Sequence, residues 1–335
     1  MSEKFMHLSA KDRRDALGVA ASDSGRPIHL LEKDVWVVWA LKKLFTSKFA
    51  DKLVFKGGTS LSKAYKVIDR FSEDVDLTYD IRALIPDLVG DSEDAIPVSR
   101  GEERRWTKQV RELLPQWVAE EIQPILNAHL AAENLAARIS VEGEKLYLEY
   151  DALAAGTGYV GPSVMLEFGA RSTGEPNSRR DVTCDAAAYL PGVEFPTARP
   201  RVMRAERTFW EKATAIHVFC AQGRLRGERF ARHWYDIVKL DQAGYADLAL
   251  KDRALAKAVA IHKSMFFAEK DSLNRPIDYV AAISGQLKLV PATESLKVLS
   301  TDYEKMLTDG LLFESVEAFD ELMGRSADIE RRANM

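Results

Sequence analysis

Cysteine is nearly absent: the 335-residue chain has only Cys184 and Cys220. Neither has a second cysteine at zinc-finger spacing, which excludes a disulfide framework and a cysteine-built zinc site and fits a reducing compartment. His217 and Cys220 fall on one helix face, where ordinary helix packing accounts for them. Long apolar runs are missing as well. No stretch approaches the ~20 apolar residues of a membrane span, and Met1-Ser2-Glu3-Lys4 lacks the apolar core of a signal peptide. The expectation is a cytoplasmic chain with no membrane segment. There is no internal repeat, no low-complexity tract and no overall basic charge. The formal net charge of −4 argues against indiscriminate coating of nucleic acid.

What is present begins with enough apolar sequence, 46% hydrophobic against 29% charged, to bury the core of one large or two medium domains. The charge is uneven. Residues 199–240 hold ten Lys or Arg against four acids, so the acids are concentrated elsewhere and the molecule is polarised. Arg224, Arg226 and Arg229 of that run sit with Gly223 and Gly227 on a loop expected between two helices. They are placed either to meet a nucleic-acid backbone or simply to be solvated.

The chain is organised around Val54-Phe55-Lys56-Gly57-Gly58-Thr59-Ser60-Leu61 and Arg70-Phe71-Ser72-Glu73-Asp74-Val75-Asp76-Leu77. Residues 53–55 are strand-like, Gly57 and Gly58 break the strand, and the apolar spacing from Leu61 to Ile68 is helical. Two glycines at a helix start offer free N–H groups to an anion. Asp74 and Asp76 lie two apart, so in a strand both carboxylates share one face while Val75 and Leu77 turn to the core. Such a pair repels itself unless a cation sits between, and Mg²⁺ takes one or two carboxylates plus the phosphates of its nucleotide. Either feature alone is ordinary turn or strand chemistry; the two together point to a phosphate loop, a helix and a metal-holding strand in one unit.

Elsewhere the pattern predicts helices over residues 8–24, with Ser9 as N-cap and Gly25-Arg26-Pro27 as the stop, and over 28–45. Residues 80–99 read as an acidic surface excursion. A helical pattern over 102–135 is kinked or divided by Pro115 and Pro124. Strands are expected at 137–141 and 145–150, joined by Glu142-Gly143-Glu144, and at 163–168, where Val164, Leu166 and Phe168 face the core and Glu167 faces away. Residues 171–181 read as a polar loop. Beyond a junction at Pro196 to Pro200 no strand is expected, only helices over 204–221, 228–242, 252–268, 277–285, 293–307 and 314–332.

The two central runs resemble the AbiEii/AbiGii toxin family of the DNA polymerase beta-like nucleotidyltransferase superfamily. The resemblance implies an α+β fold: a small mixed β-sheet nucleotidyltransferase core flanked by helices over residues 1–198, followed by an all-helical C-terminal domain, 199–335, that contributes a Lys and an Asp to the cleft. The run Glu206-Arg207-Thr208-Phe209-Trp210-Glu211-Lys212 carries the match to Lys212, which the resemblance assigns to the triphosphate. An ion pair with Glu211 or Glu206 is the plain alternative. In Arg232-His233-Trp234-Tyr235-Asp236 the match is Asp236, assigned to orienting Lys212 or a metal-bound water, although His233 and Trp234 depart from the usual neighbours. Glu167 is the candidate third acid, against an exposed sheet glutamate. Glu32-Lys33-Asp34 is similar to a run that family members carry before the phosphate loop, though an acidic helix start explains it equally well. Residues 260–267 and 302–306 extend the likeness over most of the chain, with His262 read as a packing residue.

The implied reaction is attack of an acceptor hydroxyl on the α-phosphorus of a nucleoside triphosphate (NTP), with pyrophosphate leaving. Mg²⁺ would be held by Asp74 and Asp76, with Glu167 completing the metal site or taking the proton, while the amides after Gly57 and Gly58 and the hydroxyls of Thr59 or Ser60 grip the leaving group. Family analogy makes the acceptor the tRNA 3′ end, and the protein a toxin of a toxin–antitoxin or phage-defence system with a separately encoded antitoxin. Transfer to a protein or an antibiotic-like small molecule is the rival reading. A degenerate RNA-binding module is another, which the intact acid pair disfavours.

Overall fold

The computed structural model describes residues 3–70, 72, 74–156, 161–223, 225, 229–308, 312 and 317–335. It divides into two compact units, one of Met1–Ala64, Ser72–Ala95 and Trp106–Met203, the other of Tyr65–Phe71, Ile96–Arg105 and Arg204–Met335.

In the first unit, α1 (Ala10–Ser24) begins where the Ser9 hydroxyl accepts the Asp12 N–H at 3.2 Å and ends at Gly25, whose left-handed φ of +72° closes the helix. Next, α2 (Ile28–Leu44) is apolar on nearly every side and correspondingly buried, from Leu31 through Trp36 and Trp39 to Leu41. The short α3 (Gly57–Lys63) follows the first strand of the sheet. Helix α4 (Arg100–Trp117) runs through a π-helical stretch, Val118–Ile122, into α5 (Gln123–Ala132). The break belongs to Pro124, which has no N–H for the carbonyl four residues back; the wider π spacing absorbs the gap. Pro115 sits inside α4.

Seven strands form one mixed sheet: β1 (Leu53–Lys56), β2 (Asp74–Tyr79), β3 (Ala137–Glu142), β4 (Lys145–Tyr150), β5 (Ser163–Gly169), β6 (Asn177–Arg179) and, after the small pair β7 (Val182–Thr183) and β8 (Thr197–Ala198), β9 (Arg201–Met203). Their spatial order is β3-β4-β5-β2-β1-β9-β6. Pairs β2/β5 and β1/β9 are parallel, the others antiparallel. Strict alternation along β4 and β5 buries Leu146, Leu148, Tyr150, Val164, Leu166 and Phe168 on one face. Helices cover that face: Trp36 of α2 stacks on Tyr150 at 5.3 Å, and Trp117 of α4 meets Phe168 edge-on at 5.6 Å. The opposite face is left for Asp74, Asp76 and Glu167.

Two strands depart from the sequence reading. β9 follows Pro200, where no strand is expected, yet Val202 pairs with Phe55; three residues are too few to display a period of two. β6 lies inside the expected polar loop as an exposed sheet edge, with no apolar pattern to mark it. Past the first turn of α2, Glu32 and Asp34 are buried rather than forming an acidic helix start. Glu32 accepts the Leu153 N–H at 2.9 Å, and Asp34 bonds Lys63 of α3 at 2.5 Å. Asp185 completes the cluster, 2.6 Å from Lys63 and donating its own N–H to Asp34 at 2.6 Å.

The second unit is helical: α6 (Ala205–Gln222), α7 (Ala231–Gln242), α8 (Tyr245–Lys251), α9 (Arg253–Phe266), α10 (Thr293–Thr308) and α11 (Phe319–Ala333). Its core holds Trp210, Trp234, Tyr279 and Tyr303. The two indoles keep their N–H groups satisfied, Trp210 on the Ala249 carbonyl at 3.0 Å and Trp234 on Leu289 at 2.6 Å. The architecture as a whole is α+β, a central mixed sheet flanked by helices with a helical C-terminal region. No helix of the described residues is long and apolar enough to cross a membrane.

Burial pushes Glu32 up from its ordinary 4.5 to about 7, against the opposing Leu153 N–H and the charges of Arg13 and Arg14. A carboxyl raised on folding binds its proton more tightly in the folded state. Its contribution to stability is therefore complete below about pH 4.5 and is lost as pH rises through about 7. Glu32→Gln keeps a neutral acceptor for Leu153, so it should match the parent near pH 4.5 and exceed it above pH 7, by at most about 3 kcal/mol. Denaturant unfolding across that range checks this; equal stability at every pH would refute it.

Candidate functional site

In the first unit the candidate site is the polar face of the sheet where β1 turns into α3. Gly57 adopts a left-handed φ of +76°, and a Cβ there would stand 1.9 Å from Asp76 Oδ2. Only a hydrogen fits, so the Asp76 carboxylate lies directly against the turn. Thr59 and Ser60 are buried, and both hydroxyls are used on the backbone: Thr59 donates to the Asp74 carbonyl and Ser60 to the Gly57 carbonyl at 2.8 Å. They fasten α3 to the start of β2. Gly58 is buried within the same turn.

Asp74 and Asp76 are half-buried on the same face of β2. Strand register then sets their neighbours. Asp76 pairs with Lys56 on β1 and with Glu167 on β5, and Glu167 pairs with Lys145 on β4. Register partners share a face, so Lys145, Glu167, Asp76 and Lys56 form one row, two acids flanked by two cations. Glu167 stands 3.7 Å from the Lys145 ammonium. Among the described residues no three His, Cys, Asp or Glu side chains gather as a metal-holding group. The donor set of Asp74 with Asp76 nevertheless fits Mg²⁺, which takes one or two carboxylates and completes its shell with phosphates and water.

The second unit carries a separate cluster. Asp236 of α7 is fully enclosed and receives three charged hydrogen bonds: from Arg70 through Nε at 2.7 Å and Nη2 at 2.8 Å, and from Lys212 of α6 at 2.7 Å. Burial by itself would raise the Asp236 carboxyl, but the charges of Arg70 and Lys212 and their hydrogen bonds reverse this and hold it well below the usual carboxylate range. The acids next to Lys212 in sequence have other partners, Glu211 with Arg207 at 3.1 Å and Glu206 with Arg204 at 2.7 Å. Two cations share the one carboxylate. The neighbouring His233 is pushed well down, first by burial and then by Lys212 and Arg232, so it stays neutral.

Spacing picks out Asp74 and Asp76, and the family resemblance picks out Lys212 and Asp236, but neither assigns a role to Arg70, Lys56 or Lys145. Arg70 is adjacent to the acid motif, yet its partner is 166 positions away, a separation no local pattern reports. Arg224 and Arg226 lie outside the described residues, while the backbone N–H of Arg229 donates to Asp302 at 2.6 Å. His217 Nδ1 accepts the Lys288 N–H at 3.1 Å, and burial pushes the nearby Cys220 thiol up to about 12. That is packing chemistry rather than ligand chemistry.

The family model described as nucleotidyl transferase AbiEii toxin, type IV TA system, matches residues 39–325. No curated protein matches the chain. Among solved structures it is similar to MenT4, a nucleotidyltransferase toxin of Mycobacterium tuberculosis H37Rv, with 16% identity over 95% of this chain and 97% of that one and a TM-score of 0.40. It is also similar to JHP933 of Helicobacter pylori, with 14% identity over 92% and 93% and a TM-score of 0.40.

Gly57→Ala tests the contact between turn and carboxylate, with Gly25→Ala as control. Both sites have positive φ, but nothing lies within 4 Å of a Cβ at Gly25. Each variant should lose about 1–2 kcal/mol for the left-handed backbone. Only Gly57→Ala must also displace Asp76, so it should unfold more readily than the control and lose nucleotide transfer. Equal losses of stability and full transfer in both would dismiss the contact.

Proposed function

The chain belongs to the AbiEii nucleotidyl transferase toxin family of type IV toxin–antitoxin systems, and from that premise we propose that it moves a nucleotide from an NTP to an acceptor hydroxyl, the tRNA 3′ end. The observation that carries this reading is the Asp74/Asp76 pair beside the Gly57 turn: an anion-binding backbone placed against carboxylates. Family membership also implies an antitoxin partner. A cytoplasmic setting and a role in phage defence belong to the same proposal.

Asp74 and Asp76 would hold Mg²⁺, which when bound offsets phosphate charge and lowers the pKa of an attacking hydroxyl. Backbone amides after Gly57 and Gly58 orient the phosphates, while Thr59 and Ser60 keep the turn in place. Glu167 is the proposed third acid. Its pairing with Lys145 is half-exposed, so little free energy opposes its exchange to another partner. In the second unit Lys212 meets the triphosphate and offsets charge that builds on the leaving group, and Asp236 fixes its ammonium in place. The deciding experiment supplies labelled nucleotides together with total RNA and lysate protein: label in RNA supports the reading, and label only in protein or small molecules replaces the acceptor.

Asp74→Ala or Asp76→Ala should lower transfer at least about a hundredfold, the scale of losing one preorganised electrostatic group. The fold should survive, since both positions are half-buried. Transfer within a fewfold of the parent at saturating Mg²⁺ would remove the two from the chemistry. Lys212→Ala should both raise the triphosphate concentration needed and slow transfer. A nucleotide titration that returns parental values, with only a stability change, would make Lys212 a scaffold residue.

A further inference from the structure

The edge of the first unit's sheet gathers a second set of cations that the functional reading does not use. Arg201 of β9 stands opposite Arg179 of the edge strand β6, and the Arg180 N–H donates to the Pro200 carbonyl at 3.1 Å. Beside them β7 pairs with β8, setting Thr183 opposite Thr197. The last turn of α2 adds Lys42. Between these elements lies a groove of about 480 Å³, lined by Lys42, Arg179, Arg199, Thr183 and Thr197 with Phe45 among its apolar walls, a volume within the ~300–1,000 Å³ usual for ligand clefts. Three cations, Lys42, Arg179 and Arg199, line it with one acid, Asp181, and Arg179 pairs with Asp51 beside it.

We propose that this groove binds the sugar–phosphate backbone of RNA, at a place that shares no lining residue with the carboxylate pair. The inference rests on the RNA-acceptor reading above. Its cations are loosely held: Arg179 pairs with Asp51 at 2.9 Å and Arg199 with Asp181 at 3.6 Å, all four side chains being 46% to 83% exposed. Such pairs contribute about 0–1 kcal/mol, whereas a guanidinium meets a phosphate through two parallel charged hydrogen bonds. Thr183 and Thr197 present exposed hydroxyls on the same wall, of the kind that position a nucleic-acid backbone without reading its sequence. Arg201 is anchored, donating to the Asp51 carbonyl and to Asn177 Oδ1 at 3.0 Å; it holds the edge in shape. None of Asp74, Asp76 and Glu167 lines the groove, so the two can be altered independently.

The test is binding of bulk tRNA across a salt series by the parent and by a Lys42→Ala, Arg179→Ala, Arg199→Ala variant. Each phosphate contact contributes about 0.7–0.9 to the log–log salt slope, so losing three should flatten it by about two to three and weaken binding tenfold or more at low salt. Affinity for NTP and the unfolding midpoint should not move. Arg199→Glu alone, at an exposed side chain, should shift binding in the same direction. Salt-dependent tRNA binding that is identical in parent and variants overturns the groove assignment while leaving the RNA acceptor standing. A parent that consumes NTP but binds no RNA removes the acceptor reading, and the groove with it. A triple variant that loses binding to a polyglutamate peptide while keeping tRNA makes the groove a site for an acidic protein and likewise overturns the proposal.

Discussion

A carboxylate pressed against a glycine is the constraint on which the first unit's polar face depends. Asp76 Oδ2 occupies the space where any other residue at position 57 would put its Cβ. That contact brings the β1–α3 turn as near to β2 as backbone chemistry allows. Everything that holds α3 then serves the same approach. The Thr59 hydroxyl ties its first turn to the Asp74 carbonyl, and at its far end Lys63 is clamped between Asp34 and Asp185. A seven-residue helix has little cohesion of its own. It is kept in place by hydrogen bonds at one end and a buried ion cluster at the other.

Charge on that face is balanced across strands, not along them. Asp74 and Asp76 follow one another on β2 with no cation between them in sequence, but register gives Asp76 Lys56 on one side and, through Glu167, Lys145 on the other. Register-opposed cations of this kind lower the cost of keeping Asp76 and Glu167 charged side by side.

Local signals carried the sequence reading a long way. Alternation placed β3, β4 and β5 almost to the residue, and Ser9 with Gly25 bounded α1, because each element contains its own period and its own stops. Family resemblance placed the mixed sheet and the helical C-terminal region. The misses share a cause. Strands β6 and β9 have three residues each, and β9 exists because Val202 finds Phe55 nearly 150 positions earlier. Tertiary pairing, not local propensity, makes them strands. The same holds for side chains: local spacing offers Lys212 only its helix neighbours Glu206 and Glu211 as partners. The family resemblance, which also has Asp236 orient Lys212 or a metal-bound water, reaches beyond the helix to the residue that pairs with it.

The buried cluster of the second unit shows why that partner matters. A lysine beside Glu211 at the surface would swing freely, whereas Lys212 bonded to an enclosed Asp236 has one position. Asp236 in turn cannot be there alone, because an uncompensated buried carboxylate would be protonated or exposed. Arg70 resolves this. Its guanidinium engages both Asp236 oxygens in a fixed fork, satisfying the carboxylate before the lysine is counted. The ammonium is thus oriented by a carboxylate that Arg70 already satisfies and that stays charged despite its burial. The lysine is held by a fixed anion rather than by a mobile surface pair, a constraint that a lone buried Lys–Asp pair would have to supply without the guanidinium's help.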